Sequence, residues 1–410
     1  MLRIIEGGAK TGKSTWIRRE LLRLAEQEDG NALLLFVPEQ FSFETERAYA
    51  EALGLAKGGR VRVVSFARFA EDVFREFGGL AGEYATDTAR LLTMKLALRQ
   101  CGSQLGAYGR LAARPDFPAK MVEAVAEMKR AGLSGDALEQ AAAVLPEGDL
   151  QGKLSDLSLL WAVYDGRLSM RYLDDLDDLG RAAALCAENR YFAGRKVFLD
   201  GFKSFTAVQE RLVGLMLSQG AEVTVTLPME GEDSRFAVPL ETEKRLRSLA
   251  YQAGEAVPKP IVLREKYGFG SDALRHFSGE ILRAGPRPFS GENGAAECAA
   301  LFHEFDEAEF AAARLLHYAR EDGYAFEEMA VLVRDLDKYG PLLEAAFERY
   351  GVPYTMDRVE SVDILPLFRF CTHLLRAAAG NSREELLAML KCGILGLSLE
   401  QTAAFESYTY

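Results

Sequence analysis

Eight residues near the amino terminus constrain the fold of this chain more than any other feature. They match the pattern GxxxxGK[ST] and read Gly7-Gly8-Ala9-Lys10-Thr11-Gly12-Lys13-Ser14. An apolar stretch, Leu2–Ile5, precedes the pattern, and Ile17 and Leu21 follow it at helical spacing. We therefore predict a phosphate-binding P-loop in strand–loop–helix order, opening an α/β core. The alternative is a glycine-rich turn that holds no ligand.

Each part of the loop has a predicted role. Gly7 and Gly12 permit the required backbone conformation, and Gly8–Thr11 complete a cradle of N–H groups around a phosphate. Lys13 supplies a cation to the β and γ oxygens, and the Ser14 hydroxyl binds Mg²⁺. The predicted cofactors are therefore ATP and Mg²⁺.

A second acidic group is needed for turnover, and one candidate follows a later apolar strand. Asp200 ends the run Lys196–Leu199 and fits the role of a second Mg²⁺ ligand. The next residue, where many helicases carry a catalytic glutamate, is Gly201. A glycine has no side chain to polarise water, so we expect weak or absent ATP hydrolysis.

The rest of the chain divides by its patterning into strand-rich and helix-rich regions. Strand patterns occur at 32–37, 61–64, 196–199, 222–227 and 329–333, and Pro341 is predicted to open a helix. Helical stripes dominate between these groups, and a Pro- and Gly-punctuated stretch near 255–296 separates two lobes. We predict a first lobe at 1–85 plus 190–290, a helical insertion at 86–189, and the start of a second lobe and of its own helical insertion at 291–410.

Charge and composition restrict the class of protein. The net charge is −12, which argues against a whole-surface nucleic-acid coat but permits a local basic groove. One candidate groove combines basic residues with two aromatic ones: Lys57, Arg60, Arg62, Arg68 and Arg75, with Phe66 and Phe69. The alternative is a solvated face above core phenylalanines.

Three further patterns have plain interpretations. The acidic run 174–178 could hold a hard cation, but aspartates ahead of a helix at 179–186 more simply meet its positive end. Five scattered cysteines indicate reduced thiols rather than disulfides or a zinc site. No long apolar stretch and no room for a signal peptide lead us to expect a cytoplasmic protein without a membrane span.

Several segments resemble one known family. The stretch Asp200–Gln209 is similar to the DEFQDTxxxQ segment of superfamily 1 helicases such as UvrD, with the glutamate lost. With VPEQ-F-F at 37–43, VxSFxRxA at 63–70 and GVPYxxDRxES from Gly351, the chain resembles the AddB family, the B subunits of bacterial AddAB helicase–nucleases. The resemblance covers essentially the whole chain. It implies P-loop NTPase lobes of the RecA-like type, with parallel sheets and helical insertions.

The resemblance also implies partners and further site residues. Members of this family act with an AddA-type subunit on double-stranded DNA ends for repair and recombination, and they scan single-stranded DNA for the Chi sequence. The residues that match the scanning surface are Gln40, Ser42, Phe66 and Arg68, and Phe205, beside the degenerate acidic motif, is a further candidate for DNA stacking. By this resemblance the phenylalanines stack on bases, and the polar groups and Arg68 read base edges.

Two departures from the family pattern bear on activity. The nuclease and the four-cysteine iron–sulfur cluster of the family belong to a carboxyl-terminal part outside these 410 residues, so no nuclease residue can be named. No counterpart of a helicase arginine follows Val331–Arg334, where Tyr339 and Gly340 fall instead. Whether the chain is itself an enzyme is thus left open. Two other interpretations stay open: an active P-loop ATPase or kinase using Asp200, and a non-catalytic scaffold that docks AddA.

Overall fold

The structure is a computed structural model that describes residues 1–27, 33–230, 234–292, 294–358, 362–380 and 382–409. The chain forms two compact units, Met1–Ala296 and Glu297–Tyr410. The strands of the described residues are β1 (Leu2–Gly7), β2 (Leu33–Phe36), β3 (Val61–Val64), β4 (Glu83–Tyr84), β5 (Tyr172–Leu173), β6 (Lys196–Leu199), β7 (Glu222–Leu227) and β8 (Ile261–Leu263).

Helices make up most of the remaining regular structure. In the first unit they are α1 (Lys13–Glu26), α2 (Glu39–Lys57, kinked at Gly54), α3 (Phe66–Phe77), α4 (Asp87–Cys101), α5 (Phe117–Arg130), α6 (Gly135–Val144), α7 (Asp149–Leu168), α8 (Asp178–Glu188), α9 (Ala207–Ser218), α10 (Ala237–Gln252) and α11 (Asp272–Glu280). In the second unit they are α12 (Glu304–Arg320), α13 (Leu336–Tyr350), α14 (Pro366–Gly380), α15 (Arg383–Leu390) and α16 (Leu399–Tyr408).

Six strands of the first unit form one parallel sheet in the order β3-β2-β6-β7-β1-β8. All four residues of β2 are buried, as expected for a parallel strand that is covered on both faces. The carboxyl ends of parallel strands lie at one edge of the sheet, where ligands of such folds bind. The predicted α/β class is therefore confirmed.

Helices cover both faces of this sheet with apolar side chains. On one face, Ile17 and Leu21 of α1 and Tyr49 of α2 pack against the strands. On the other, Phe69 of α3 and Leu212 of α9 join a larger core. The helices on both faces thereby fix the sheet, and the P-loop and the segments after β2, β3 and β6 lie at its carboxyl edge.

The stretch between β3 and β6 is mainly helical, as its patterning predicts. Helices α4, α5, α6 and α7 share their own core, in which Met94, Trp161 and Tyr164 are almost fully buried. A short parallel pairing of β4 with β5 joins the two ends of this helical region.

An edge strand of the main sheet escapes the sequence patterns. β8 pairs with β1 through Ile5 and Ile261, inside the stretch that we predicted to separate two lobes. It has only three residues and follows Pro258 and Pro260, so it gives neither alternation nor a long apolar run. The boundary between the compact units falls after Ala296, whereas the predicted boundary follows residue 290.

The second unit corrects two predictions. Residues 329–333 form no strand among the described residues, and Leu332 is 90% exposed, because no described strand of this unit offers a partner. Pro341 lies inside α13 instead of opening it. The helix starts earlier because the Asp335 side chain accepts a hydrogen bond from the Lys338 N–H at 3.0 Å and caps it.

The acidic run binds basic side chains. Lys129 of α5 contacts Asp165, Asp174 and Asp177 at 3.0, 2.9 and 2.8 Å, and Arg90 pairs with Asp174. Within the described ranges no group of His, Cys, Asp and Glu has the arrangement of a metal site. The run is thus part of an ion-pair cluster, which we call the Lys129 cluster.

Two further sequence expectations concern thiols and membranes. All five cysteines are free, which agrees with the predicted reduced thiols. None of the helices in the described part of the chain combines the length and apolar composition needed to cross a bilayer.

Candidate functional site

The loop between β1 and α1 has the backbone of an anion-binding turn. Lys10 and Gly12 adopt positive φ values of 58° and 85°, and the Thr11 hydroxyl donates to the Gly8 carbonyl at 3.0 Å. The helix begins at Lys13 without a side-chain cap, so no side chain of the cap residue occupies its first N–H groups. Such uncapped N–H groups at a helix start form a site for a phosphate.

Lys13 folds over the loop that precedes it. Its ammonium donates to the carbonyls of Gly7 and Gly8, both at 2.7 Å. Burial lowers the pKa of Lys13, while the carboxylates of Asp200 and Glu230 oppose that shift. The ammonium is therefore held over the loop by two backbone carbonyls and has no carboxylate bonded to it in the described structure.

Asp200 stands at the carboxyl end of β6, two strands from the loop. Its backbone N–H donates to the Phe36 carbonyl at 3.0 Å, and its carboxylate accepts from the Thr226 hydroxyl at 2.5 Å. These contacts fix Asp200 at the same edge as Ser14. The two residues line one cavity of about 420 Å³.

The same cavity contains residues that the sequence did not single out. Arg18 of α1 adds a positive charge, and Glu44, Thr45 and the buried Tyr49 come from α2. Burial, followed by the charge of Asp200, raises the pKa of Tyr49 well above its ordinary value. Arg18 could have been found from its place four residues after Ser14, on the same face of α1.

The position of the missing glutamate is restricted by its backbone. Gly201 has a φ of 85°, in the region that favours glycine. A Cβ at this position would lie 3.2 Å from Cδ of Pro38. The backbone conformation at position 201 therefore disfavours any residue with a side chain, glutamate included.

The five predicted DNA-contacting residues follow three neighbouring strands. Gln40 and Ser42 come after β2, Phe66 after β3, and Phe205 after β6, and these strands are adjacent in the sheet. Arg68 is one turn into α3. The structure thus brings the five residues to one half of the carboxyl edge, beside the half that carries the P-loop.

Two of these residues are core side chains. Phe66 and Phe205 are each 7% exposed, their ring centroids are 6.4 Å apart, and both pack against Phe202. Base stacking by either ring stays a prediction, and it requires the ring to leave this cluster. For Phe66 the sequence left a core position open as the alternative, because an aromatic residue after a strand suits a core and a binding surface equally, and the structure shows the core position.

The three polar residues differ in accessibility. Gln40 is exposed, whereas Ser42 is 5% exposed and its hydroxyl donates to the Glu39 carbonyl at 2.9 Å. The Arg68 guanidinium is partly exposed and pairs with Glu46 of α2 at 3.0 Å. In this arrangement Gln40 and Arg68 are the two side chains that solvent reaches.

The other basic residues of the proposed groove lie in several different contacts. Arg60 donates to the carbonyls of Ala25 and Gln27, and Arg62 pairs with Asp72 at 2.7 Å. The side chain of Lys57 lies outside the described residues. Arg60 therefore bonds the backbone at the end of α1 and does not contribute a free cation to the predicted basic groove.

Two exposed aromatic residues at this edge were missed. Phe41 and Phe43, on the first turns of α2, are 48% and 73% exposed. Their neighbour Ser42 is buried, and the signal that could have indicated the two rings is the VPEQ-F-F stretch, which contains both. Exposed rings beside Gln40 offer faces for stacking that Phe66 and Phe205 lack.

Together these features define an α/β protein that carries a P-loop motif and an acidic strand end at the carboxyl edge of a parallel sheet. The chain matches the family model described as ADDB, N-terminal, over residues 4–278. It belongs to this family.

Curated relatives carry one name, which describes the B subunit of an ATP-dependent helicase/deoxyribonuclease. The relative from Desulforudis audaxviator is 31% identical over 99% of this chain and 36% of its own length. Proteins with the same name from Moorella thermoacetica and Clostridium perfringens are 30% and 27% identical over 99% and 96% of the chain, and 37% and 35% of their own lengths. The chain spans about a third of the length of these relatives.

Proposed function

We propose that this chain is the helicase-like portion of a B-type helicase–nuclease subunit, that it binds ATP–Mg²⁺, and that it turns ATP over slowly or not at all. The observation that carries the proposal is the shared cavity of Ser14 and Asp200 beside an uncapped P-loop. The residues fit the cofactor: Ser14 and Asp200 would hold Mg²⁺, and Gly7–Lys13 would hold the phosphates. Bound Mg²⁺ supplies charge neutralisation between phosphate oxygens.

The low turnover follows from the groups around the cavity. Gly201 offers no carboxylate to orient an attacking water, and its φ of 85° opposes a side chain there. ATP bound at such a site can alter the conformation or the stability of the chain, but it does not power translocation along DNA.

The nucleotide part is tested by direct binding. Calorimetry with ATP and Mg²⁺ is expected to show binding to the wild-type chain, and Lys13→Ala is expected to weaken it at least about tenfold, since a charge-assisted contact to phosphate is lost. Phosphate release should stay near background with and without single-stranded DNA. Rapid phosphate release that DNA stimulates and that disappears in Lys13→Ala would contradict the proposed slow turnover of ATP. Rapid phosphate release without DNA would favour the alternative of an active ATPase or kinase.

We further propose that the β3-β2-β6 half of the edge binds single-stranded DNA and reads the Chi sequence, and that an AddA-type subunit is the partner. In this proposal the protein acts in the cytoplasm on double-stranded DNA ends during break repair and recombination. Support comes from the name that the relatives share and from the convergence of Gln40 and Arg68 at one edge. The nuclease and its iron–sulfur cluster are expected in the part of the family that this chain does not span.

Arg68→Ala tests the reading of sequence. If Arg68 contacts a base edge, the variant loses the preference for one oligonucleotide over its scrambled form. If it contacts a phosphate, affinity falls uniformly for both. No binding of single-stranded DNA at low salt, with AddA binding retained, would select the scaffold alternative.

A further inference from the structure

The P-loop is held on its outer side by a short segment that follows β8. The backbone N–H of Tyr267 donates to the Lys10 carbonyl at 2.9 Å, and the Lys10 ammonium donates to the Gly268 carbonyl at 2.5 Å. The same ammonium lies 5.4 Å from the centroid of the Phe269 ring. We call residues 265–269 the aromatic strap.

A second contact ties the strap to the loop. The Lys266 ammonium pairs with the Glu230 carboxylate at 3.0 Å, and that carboxylate lies against Gly8, where an added Cβ would come within 1.9 Å of it. The strap is thus hydrogen-bonded to the loop at Lys10, and its Lys266 holds the Glu230 carboxylate beside Gly8. Its position beside the loop is set by these contacts together with the pairing of β8 to β1.

The order of the strands gives a bound nucleotide its direction. Ser14 and Asp200, the predicted Mg²⁺ ligands, place the β and γ phosphates toward β6, which lies on the β7 side of β1. The α-phosphate, ribose and base must then leave the loop on the opposite side, toward β8. The aromatic strap occupies that side.

Tyr267 has the properties of a stacking platform. Its ring is 60% exposed although it is anchored through its own backbone to the loop. Its hydroxyl donates to the Glu265 carboxylate, which holds the ring at its outer end. A large exposed aromatic side chain that is held rigidly beside a phosphate site is suited to cover one face of a base.

We propose that the aromatic strap is the base subsite of the nucleotide site, with Tyr267 stacking on the base and Phe269 supporting Lys10. This inference rests on the proposed nucleotide binding. Lys10 engages the Tyr267 N–H and the Gly268 carbonyl, and Glu265 engages the Tyr267 hydroxyl, so the stacking residue itself has no polar group left for the edge of a base. Stacking on a ring responds to the size of the base, so we expect ATP and GTP to bind alike and CTP and UTP less well.

Calorimetry on the complete chain separates the base from the phosphates. ATP and inorganic tripolyphosphate, each with Mg²⁺, are titrated into wild type, Tyr267→Ala, Tyr267→Phe and the control Tyr251→Ala. Tyr251 is an 86% exposed tyrosine near the end of α10, which returns to the opposite edge of the sheet. The wild type should bind ATP more tightly than tripolyphosphate by roughly 5- to 100-fold, the range expected for one stacked base.

Tyr267→Ala should remove most of that advantage while the tripolyphosphate affinity stays unchanged. Tyr267→Phe and Tyr251→Ala should match the wild type, and GTP should bind within about threefold of ATP in the absence of an edge-reading hydrogen bond. An unchanged ATP advantage in Tyr267→Ala would overturn the base subsite and leave nucleotide binding intact. Tighter binding of both ligands would instead identify the strap as a cover over the loop. If neither ligand binds the wild type, the proposed nucleotide function itself fails.

Discussion

At the scale of single residues, Gly201 combines a chemical and a conformational constraint. A residue with a side chain at a φ of 85° is destabilised by about 1–2 kcal/mol. The nearby Cδ of Pro38, 3.2 Å from a built Cβ, adds to that cost. Restoring the helicase glutamate at this position would therefore disturb the edge before it could help catalysis.

We expect Gly201→Ala to lower the free energy of unfolding by about 1–2 kcal/mol, and by more than Gly194→Ala does. Gly194 has a similar φ of 70°, but nothing lies within 4 Å of a Cβ there. Urea denaturation followed by circular dichroism measures both. Equal losses of unfolding free energy in the two variants would show that Pro38 moves aside for the added Cβ. Phosphate release by Gly201→Glu would show that a glutamate at this position can still promote ATP hydrolysis.

Glu46 restrains the residue that we expect to read DNA. Its carboxylate pairs with Arg68, so Glu46→Gln should release the guanidinium and raise the affinity for single-stranded DNA by up to about fivefold, the usual limit for an exposed ion pair. Fluorescence anisotropy at low salt measures this change. Glu51→Gln, which frees Arg47 on the same helix, is the matched control. An equal gain in that control would mean that only the net charge of α2 matters.

At the scale of elements, the Lys129 cluster joins α5 to the segment before α8. The ammonium of Lys129 is buried and has three carboxylate partners. Lys129→Ala should destabilise the chain by about 3–5 kcal/mol, because the buried Asp174 carboxylate would lose one of its two cations and keep only Arg90 and the Leu176 N–H. Lys120→Ala, on the exposed face of the same helix, should change stability by less than about 1 kcal/mol. Urea denaturation compares the two, and similar small losses would mean that the cluster reorganises.

The same cluster predicts a dependence of stability on pH. Burial opposes ionisation of Asp174, but the hydrogen bond and charge of Lys129 lower the pKa of Asp174 overall. The contribution of Asp174 to the free energy of unfolding is then fully present above about pH 4, the ordinary range for an aspartate pKa. It is lost as the pH falls through the lower pKa that Asp174 has in the folded state. Asp165 acts in the opposite sense, since burial raises its pKa. Asp174→Asn should therefore flatten the acid side of the stability curve, as measured by urea midpoints between about pH 3 and 7.

Sequence patterns predicted elements where a local signal and the packing agree. β1, β3, β6 and β7 combine apolar runs with buried positions in the sheet, and the P-loop has its own signature. β8 was missed because its stability comes from pairing with β1 and not from its three residues. The segment 329–333 was wrongly predicted for the converse reason, because an apolar run becomes a strand only beside another strand.

The geometry of the candidate nucleotide site follows from sequence motifs more directly than that of the candidate DNA site. Lys13, Ser14 and Asp200 follow from motif chemistry, and the structure brings Ser14 and Asp200 to one cavity. The burial of Phe66 and Phe205 depends on contacts among loops that follow different strands, which no local pattern encodes. The strap was missed for the same reason, since Lys10 and Gly268 are far apart in sequence.

At the scale of the whole molecule, every residue assigned to the nucleotide site belongs to the first compact unit. The described residues between α11 and α12 contain no helix or strand. We expect trypsin to cut first at Arg283 or Arg287, which lie in this stretch, and the amino-terminal product to keep the ATP affinity of the complete chain. Mass spectrometry identifies the cut, and calorimetry on the purified product measures binding. Early cuts within α4–α7, or a product that does not bind ATP, would contradict this division.

The P-loop strand is made first and paired last. β1 comprises residues 2–7, but its neighbours β7 and β8 end at residues 227 and 263. At roughly 5–20 residues per second, a ribosome needs on the order of 13–50 s to deliver both partners. The helices α4–α7 can bury their own core during that interval, whereas Leu2, Ile4 and Ile5 stay uncovered. During synthesis, the segment that carries the P-loop motif therefore exposes an apolar strand without its partners for longer than any other strand of the sheet.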